Sequence, residues 1–248
     1  MSLSPEPSIP SPERDPRARI VALIEVLLCS GFPTQIAIGT TLRASGFAPE
    51  SSPGHYRIGF IVAISIADSI AVIGLVLLFL RTHGEHPRDV LLGDRPPFRE
   101  ALAGLPLVLV ALGLAAIALT VTQLFAPSLH NVERNPLQEL MQSPLNASLF
   151  ILVALVAGGL REEVQRAFLL HRFEAWLGGG AVGVVVTSVA FGAGHLIQGV
   201  DAAVATGLLG AFWGSIYLRR RSMVAPLVSH SGFDVIQILA QVLNVVPR

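Results

Sequence analysis

The sequence has no lysine: all 17 basic residues are arginine, and 17 acids balance them to a formal net charge of zero. A neutral chain offers no basic face for nucleic acid, which excludes that class of partner. Cysteine occurs once, at Cys29 within an apolar run, so an intrachain disulfide and a thiolate metal cluster are excluded. Cys29 reads as a small buried residue. Charge of either sign is scarce, at 14% of residues against 52% hydrophobic. The mean hydropathy of +0.64 lies outside the soluble globular range.

What is present is a series of long apolar runs, and these predict an all-α, polytopic transmembrane helical bundle whose main partner is the lipid bilayer. Residues 1–19 hold five prolines, serines and mixed charge without an apolar period, the composition of a disordered tail. The bundle is expected over 20–248. Its first run, Ile20 to about Leu42, follows Arg14, Arg17 and Arg19 and reads as an uncleaved span interrupted by Glu25, Pro33 and Gln35. Further spans are expected at Ile58–Leu80, which contains Asp68, at Ala101–Phe125, and from near Ala147 into a charged motif. After the Gly178-Gly179-Gly180 break come Ala181–Ile197, Ala202–Leu218 and Met223–Val246, making about seven spans. Arg81–Glu100 reads as a loop with a short interfacial helix, and Ala126–Asn146 as a polar connection.

Arginines near span ends favour the cytoplasmic side. With the N-terminus inside, thirteen arginines fall inside and only Arg43, Arg57, Arg134 and Arg248 fall outside. A bacterial inner-membrane protein with a cytoplasmic N-terminus is the expectation.

Three polar islands interrupt the last spans: Glu162-Glu163 with Arg166, Phe191-Gly192-Ala193-Gly194-His195, and His230-Ser231-Gly232-Phe233-Asp234. An ionisable group at bilayer depth costs at least ~2.5 kcal/mol, so such groups read as a functional site by default. Glu162 lies 16 residues before Gly178 and His195 lies 15 after Gly180. In an antiparallel hairpin both are about 22 to 24 Å from the turn, at one level. His230 and Asp234, four apart, share a helix face; so do Glu162 and Arg166, while Glu163 points about 100° away. The spacing therefore predicts that Arg166 holds Glu162 ionised and that Glu162, rather than Glu163, is the base.

These three ordered motifs resemble those of the CAAX protease and bacteriocin-processing family, intramembrane peptidases that include the type II CAAX prenyl endopeptidases. The family carries a Glu-Glu pair followed by Arg, then Phe-x-x-x-His, then His-x-x-x-Asn/Asp, on separate helices. Phe191 with His195 and His230 with Asp234 match without adjustment, and the resemblance covers roughly Ala147 to Leu239, inside a catalytic core at about 147–246. In the first motif only Val164 and Gln165 separate the second glutamate from arginine, where the family has three residues. If Arg166 anchors the register, Arg161 stands in the place of the first family glutamate; if the glutamates anchor it, the arginine has moved by one.

The resemblance implies an endopeptidase acting on a membrane-associated protein or peptide, prenylated proteins among the candidate substrates. Its candidate catalytic residues are Glu162, Glu163, Arg166, His195, His230 and Asp234. The chemistry needs an activated water, a base and donors for an oxyanion. A glutamate and His195 would hold the water, while His230 and Asp234 would bind the scissile carbonyl. A second version places a divalent metal such as zinc on Glu162, His195 and His230, which resemble a catalytic shell with one open position. The signatures His-Glu-x-x-His, Gly-x-Ser-Gly and Gly-x-Gly-Asp of other intramembrane proteases are absent.

Two other function classes use the same residue types. A proton-coupled membrane transporter relays protons along Glu, His and Asp, and a catalytically silent protein would bind a membrane partner in the same cavity. Inverted repeats would favour the transporter, and none is visible. Outside the islands, Glu25 and Asp68 are expected to pair within the bundle or mark water access. His55, His83, His86, His130 and His171 fall in loops or at span ends, where solvated histidines are expected. Gly207, Gly210 and Gly214 predict close helix packing.

Overall fold

The computed structural model describes residues 15–52, 55–132, 135–141 and 143–243. Residues 1–14 of the expected tail lie outside the described residues. Pro16 to Arg19, by contrast, already belong to a helix, α1 (Pro16–Leu28). Asp15 caps it, its Oδ1 accepting from the Arg17 backbone N–H at 2.9 Å. Pro16 suits the first helical position because the missing N–H would be unpaired there anyway.

The expected first span is two helices. α1 and α2 (Phe32–Ala44) are bent by 42° at a break where Gly31 takes φ +83°. Only glycine adopts that conformation without strain. A short hairpin, β1 (Glu50–Ser52) with β2 (His55–Tyr56), leads to α3 (Ile58–Thr82). The polar segment between Arg81 and Glu100 holds the short helix α4 (Pro87–Leu91), and α5 (Pro97–Phe125) follows. Two 3₁₀ turns, Pro127–Leu129 and Pro136–Met141, form the second polar connection.

The remaining chain is α6 (Pro144–Val153), a π-helix (Ala154–Arg161), α7 (Glu162–Trp176), α8 (Gly180–Ala193), a 3₁₀ turn (Leu196–Gln198), α9 (Val200–Arg220) and α10 (Val224–Val242). The α7–α8 turn depends on Gly178 and Gly179, at φ +98° and +94°. Each of the seven expected apolar segments is mainly helical over its described residues, residues 244–246 of the last lying outside them, but fewer are long and apolar enough to cross a membrane. Among the described residues four qualify: α3, α5, the continuous Pro144–Trp176 segment and α9. The bent α1–α2 pair makes five if it counts as one span. α8 has only 14 residues, and α10 is diluted by His230, Asp234, Gln237 and Gln241. The protein is thus an all-α, multi-pass membrane protein.

Lipid acts as solvent for its outer surface, where Ile70, Leu109 and Val189 are about 70% exposed. Inside, one cluster joins α1, α3, α4 and α7 through Val26, Val72, Val76, Val90, Phe168 and Leu170. A second joins α5 and α9 through Ala111, Ala115, Leu209 and Trp213. α8 and α9 approach closely at small residues, as expected: a Cβ on Gly192 would lie 2.6 Å from the Ala203 carbonyl, and Gly207, Gly210 and Gly214 face Ser188, Phe191 and Val184.

Buried charges pair across helices. Arg172 Nε donates to Glu25 Oε2 at 2.6 Å and Nη1 to Glu85 Oε2 at 2.7 Å. Arg220 Nε donates to Glu100 Oε2 at 2.6 Å. Of the histidines expected to be solvated, His83 and His130 are exposed and His171 is half-buried, but all three also pair with a carboxylate. His83 lies 2.6 Å from Glu25, His171 2.7 Å from Glu85 and His130 2.7 Å from Asp201. Each carboxylate sits on another segment and gives the ring a partner stronger than water.

Candidate functional site

The acidic pair opens α7, and its two carboxylates part at once. Glu163 is 1% exposed; its Oε1 accepts from Arg166 Nη1 and lies 2.9 Å from Nδ1 of His230 on α10. Because a carboxylate here accepts, Nδ1 of His230 is the protonated nitrogen of that contact. Glu162 instead stands on the wall of a cavity of about 560 Å³. Its Oε2 is 3.8 Å from His230 Nε2 and its Oε1 is 3.7 Å from Arg161 Nη1.

This corrects the expected partnership of Glu162 with Arg166. Side chains on a helix lean toward its N-terminus, and an arginine reaches a carboxylate three residues back as readily as four. Glu163 is the one that shares the dry interior with Arg166, so the guanidinium closes on it. Arg166 is further held between rings, its guanidinium carbon 4.8 Å from the Phe191 centroid and 5.6 Å from that of Trp213.

His195 stands just beyond α8. Its Nδ1 donates to the Phe191 carbonyl at 2.8 Å, which leaves Nε2 of the neutral ring as an acceptor. The Phe191 ring touches both imidazoles, with centroids 4.9 Å from His195 and 6.0 Å from His230. Glu162, His195, His230 and Asp234 all line the same cavity. The structure therefore gathers the cavity-facing residues of the three islands in one place, with Glu163 and Arg166 behind the wall.

His230 is fixed on every side. Its ring stacks on Trp213 of α9 at 3.8 Å between centroids and 19° between planes, and its Nε2 lies 3.7 Å from Asp234 Oδ2. Asp234 in turn rests against the π-helix, where a Cβ on Gly158 would come 2.6 Å from its Oδ2. A side chain at 158 would have to displace that carboxylate.

Two contributors were not visible as site residues in the sequence. Trp213 carried no motif. Asp68 was visible only as a lone acid in an apolar span, and it proves to accept from Arg161 Nε at 3.0 Å and from Thr34 and Gln35 of α2. Arg161 and Asp68 both line the cavity, so the α2–α3 half of the bundle supplies part of its wall.

As to a metal, among the described residues no group of three or more His, Cys, Asp or Glu is placed to hold one. His230 Nε2 faces two carboxylates at 3.8 and 3.7 Å, beyond both hydrogen-bonding and coordinating distance.

No curated protein and no solved structure matches the chain. Residues 144–236, the segment that holds all three islands, match the family model described as Type II CAAX prenyl endopeptidase Rce1-like, which bears out the resemblance carried by the motifs.

Proposed function

We propose that this protein is an intramembrane endopeptidase that hydrolyses a peptide bond of a membrane-associated protein or peptide, with Glu162 as the general base. The observation that carries it is the opening of Glu162, His195, His230 and Asp234 onto one cavity, with Glu162 and Asp234 each under 4 Å from the same imidazole nitrogen.

Each group has a distinct part. A water accepted between Glu162 and His195 Nε2 gives its proton to Glu162 as its oxygen attacks the scissile carbonyl. His195 suits the holding role because its other nitrogen is committed to the Phe191 carbonyl, which fixes the tautomer. The developing oxyanion is met by Nε2–H of His230 in its imidazolium form, aimed by Glu163 at Nδ1 and by the Trp213 face. Glu162 then returns the proton to the leaving amine. Arg166 keeps Glu163 anionic and in place, so it acts through Glu163 rather than on substrate.

The placement of these groups, none of them gathered in a set of three that could hold a metal among the described residues, favours hydrolysis through this water with no metal step. Purified protein in detergent, given acyl-anchored peptides, should release cleavage products, and exhaustive chelation should leave that rate unchanged. Absence of cleavage across a peptide library would defeat the proposal, and loss on chelation with recovery by zinc would replace the metal-free version.

A further inference from the structure

The catalytic reading leaves part of the cavity wall unused. Below Asp234, α10 continues its cavity-lining face with Gln237 and Gln241, and across the space stand Asn135, Gln138 and Gln198. Six carboxamides line the cavity, counting Gln35 of α2. Asn135, Gln138 and Gln198 stand in connections, but Gln237 and Gln241 stand on a helix of a bundle in lipid, where a polar group without a partner is costly. Asn135 and Gln198 are joined at 3.3 Å, Nδ2 donating to Oε1. The side chains of Gln237, Gln241 and Gln138 have no hydrogen-bond partner among the described residues. Packing does not explain them either, since Gln237 is exposed to the cavity and Gln241 half-buried.

Carboxamides have a particular chemistry: each offers a donor and an acceptor side by side, the complement of a peptide unit, and none carries charge. They can pair with a main chain while remaining indifferent to its side chains. Spacing agrees with this use. His230 to Gln241 spans eleven residues of helix, about 16 Å, and an extended chain covers that distance in about five residues.

We propose that Gln237 and Gln241, faced by Gln138 and the Asn135–Gln198 pair, form a subsite that binds the main chain of an extended peptide beside α10, about five residues to one side of the bond placed at Glu162. This rests on the peptidase reading and specifies how its substrate is held. The subsite confers affinity and register, with side-chain preference set elsewhere on the wall.

The test uses full-length protein in detergent and a fluorescein-labelled, acyl-anchored nonapeptide. Binding is measured by anisotropy on the Glu162→Gln protein and cleavage on otherwise native protein. Gln237→Met and Gln241→Met keep side-chain length and remove the paired donor and acceptor. Each should weaken binding about three- to tenfold, the range for one hydrogen bond. In cleavage, KM should rise with kcat nearly kept, a split that a folding defect would not give.

A matching peptide with backbone amides replaced by esters should lose affinity for Glu162→Gln protein but lose little more for the methionine variants, since their shared contact is already gone. Cleavage with unaltered binding in the methionine variants overturns the subsite and leaves the peptidase standing. Glutamine-dependent binding without cleavage supports the subsite and overturns the peptidase. Neither binding nor cleavage overturns both.

Discussion

The indole of Trp213 lies face to face with the imidazole of His230, 3.8 Å away, and is itself pinned by a hydrogen bond from Nε1 to Ser229 Oγ at 3.1 Å. One aromatic plane thus sets the plane of the histidine that faces both Glu162 and Asp234. Trp213→Phe should keep the fold and lower kcat about tenfold, because the smaller ring loses its anchor and lets the imidazole tilt. Unchanged kcat in a stably folded Trp213→Phe protein would show that Glu163 alone orients His230.

The two glutamates should separate cleanly. Glu162→Gln removes the base, so cleavage should fall by about 10² or more while thermal unfolding in detergent stays native. Glu163→Gln leaves Arg166 and His230 facing a neutral group in a dry interior, a loss of about 3 kcal/mol or more, so its main effect should be on yield and unfolding temperature. The reverse pattern would exchange the two assignments.

Asp68 lines the cavity and also holds Arg161 there, so the pair should matter to stability. Asp68→Ala leaves a buried guanidinium without its carboxylate and should cost about 3 to 5 kcal/mol. Removing both partners, as Asp68→Ala with Arg161→Met, should recover much of that loss. A double variant as unstable as the sum of the singles would mean the pair is not coupled.

At the polar end of the bundle, pH is the variable. Burial pushes the Glu85 carboxyl upward, but hydrogen bonds from His171 and Arg172 and their charge outweigh it and hold the group below the usual carboxylate range. A depressed value means a stabilisation present above the unfolded carboxylate value of about 4.3 and lost as pH falls through the lower folded one. Glu85→Gln should therefore destabilise at neutral pH, by about 1 kcal/mol or less for so exposed a carboxyl, and the gap to wild type should close on acidification. A gap independent of pH would show that shape, not charge, is what Glu85 supplies.

Much of this arrangement was legible because its signals were of one kind: charge where lipid forbids it. Glu162, His195, His230 and Asp234 each interrupt an apolar run, and equal helix height already put the first two at one level. What escaped the sequence depended on partners distant in the chain. Arg166 could face either glutamate on periodicity alone, and the choice was made by which carboxylate shares its dry pocket. Asp68 and Arg161 stand 93 residues apart, and no local pattern joins them. The short α8 and the polar α10 were expected as full spans because glycine breaks and apolar content do not report how deep a helix sits. The first run split at Gly31, whose left-handed conformation a composition count does not reveal.

The π-helix at Ala154–Arg161 gives the longest apolar segment a property its parts lack. A π turn behaves as a single-residue insertion into an α-helix, and each added residue rotates the helix beyond it by about 100°. The segment is a phase shifter: the face α6 turns to its neighbours and the face α7 turns to His230 are set separately, although one continuous backbone joins them. Removing one residue between Ala154 and Ala157 should let the turn relax to α-geometry and swing Glu162 off the cavity, although the sequences of the three motifs are unchanged. The angular offset between the two halves is then as much a part of the site as its carboxylates.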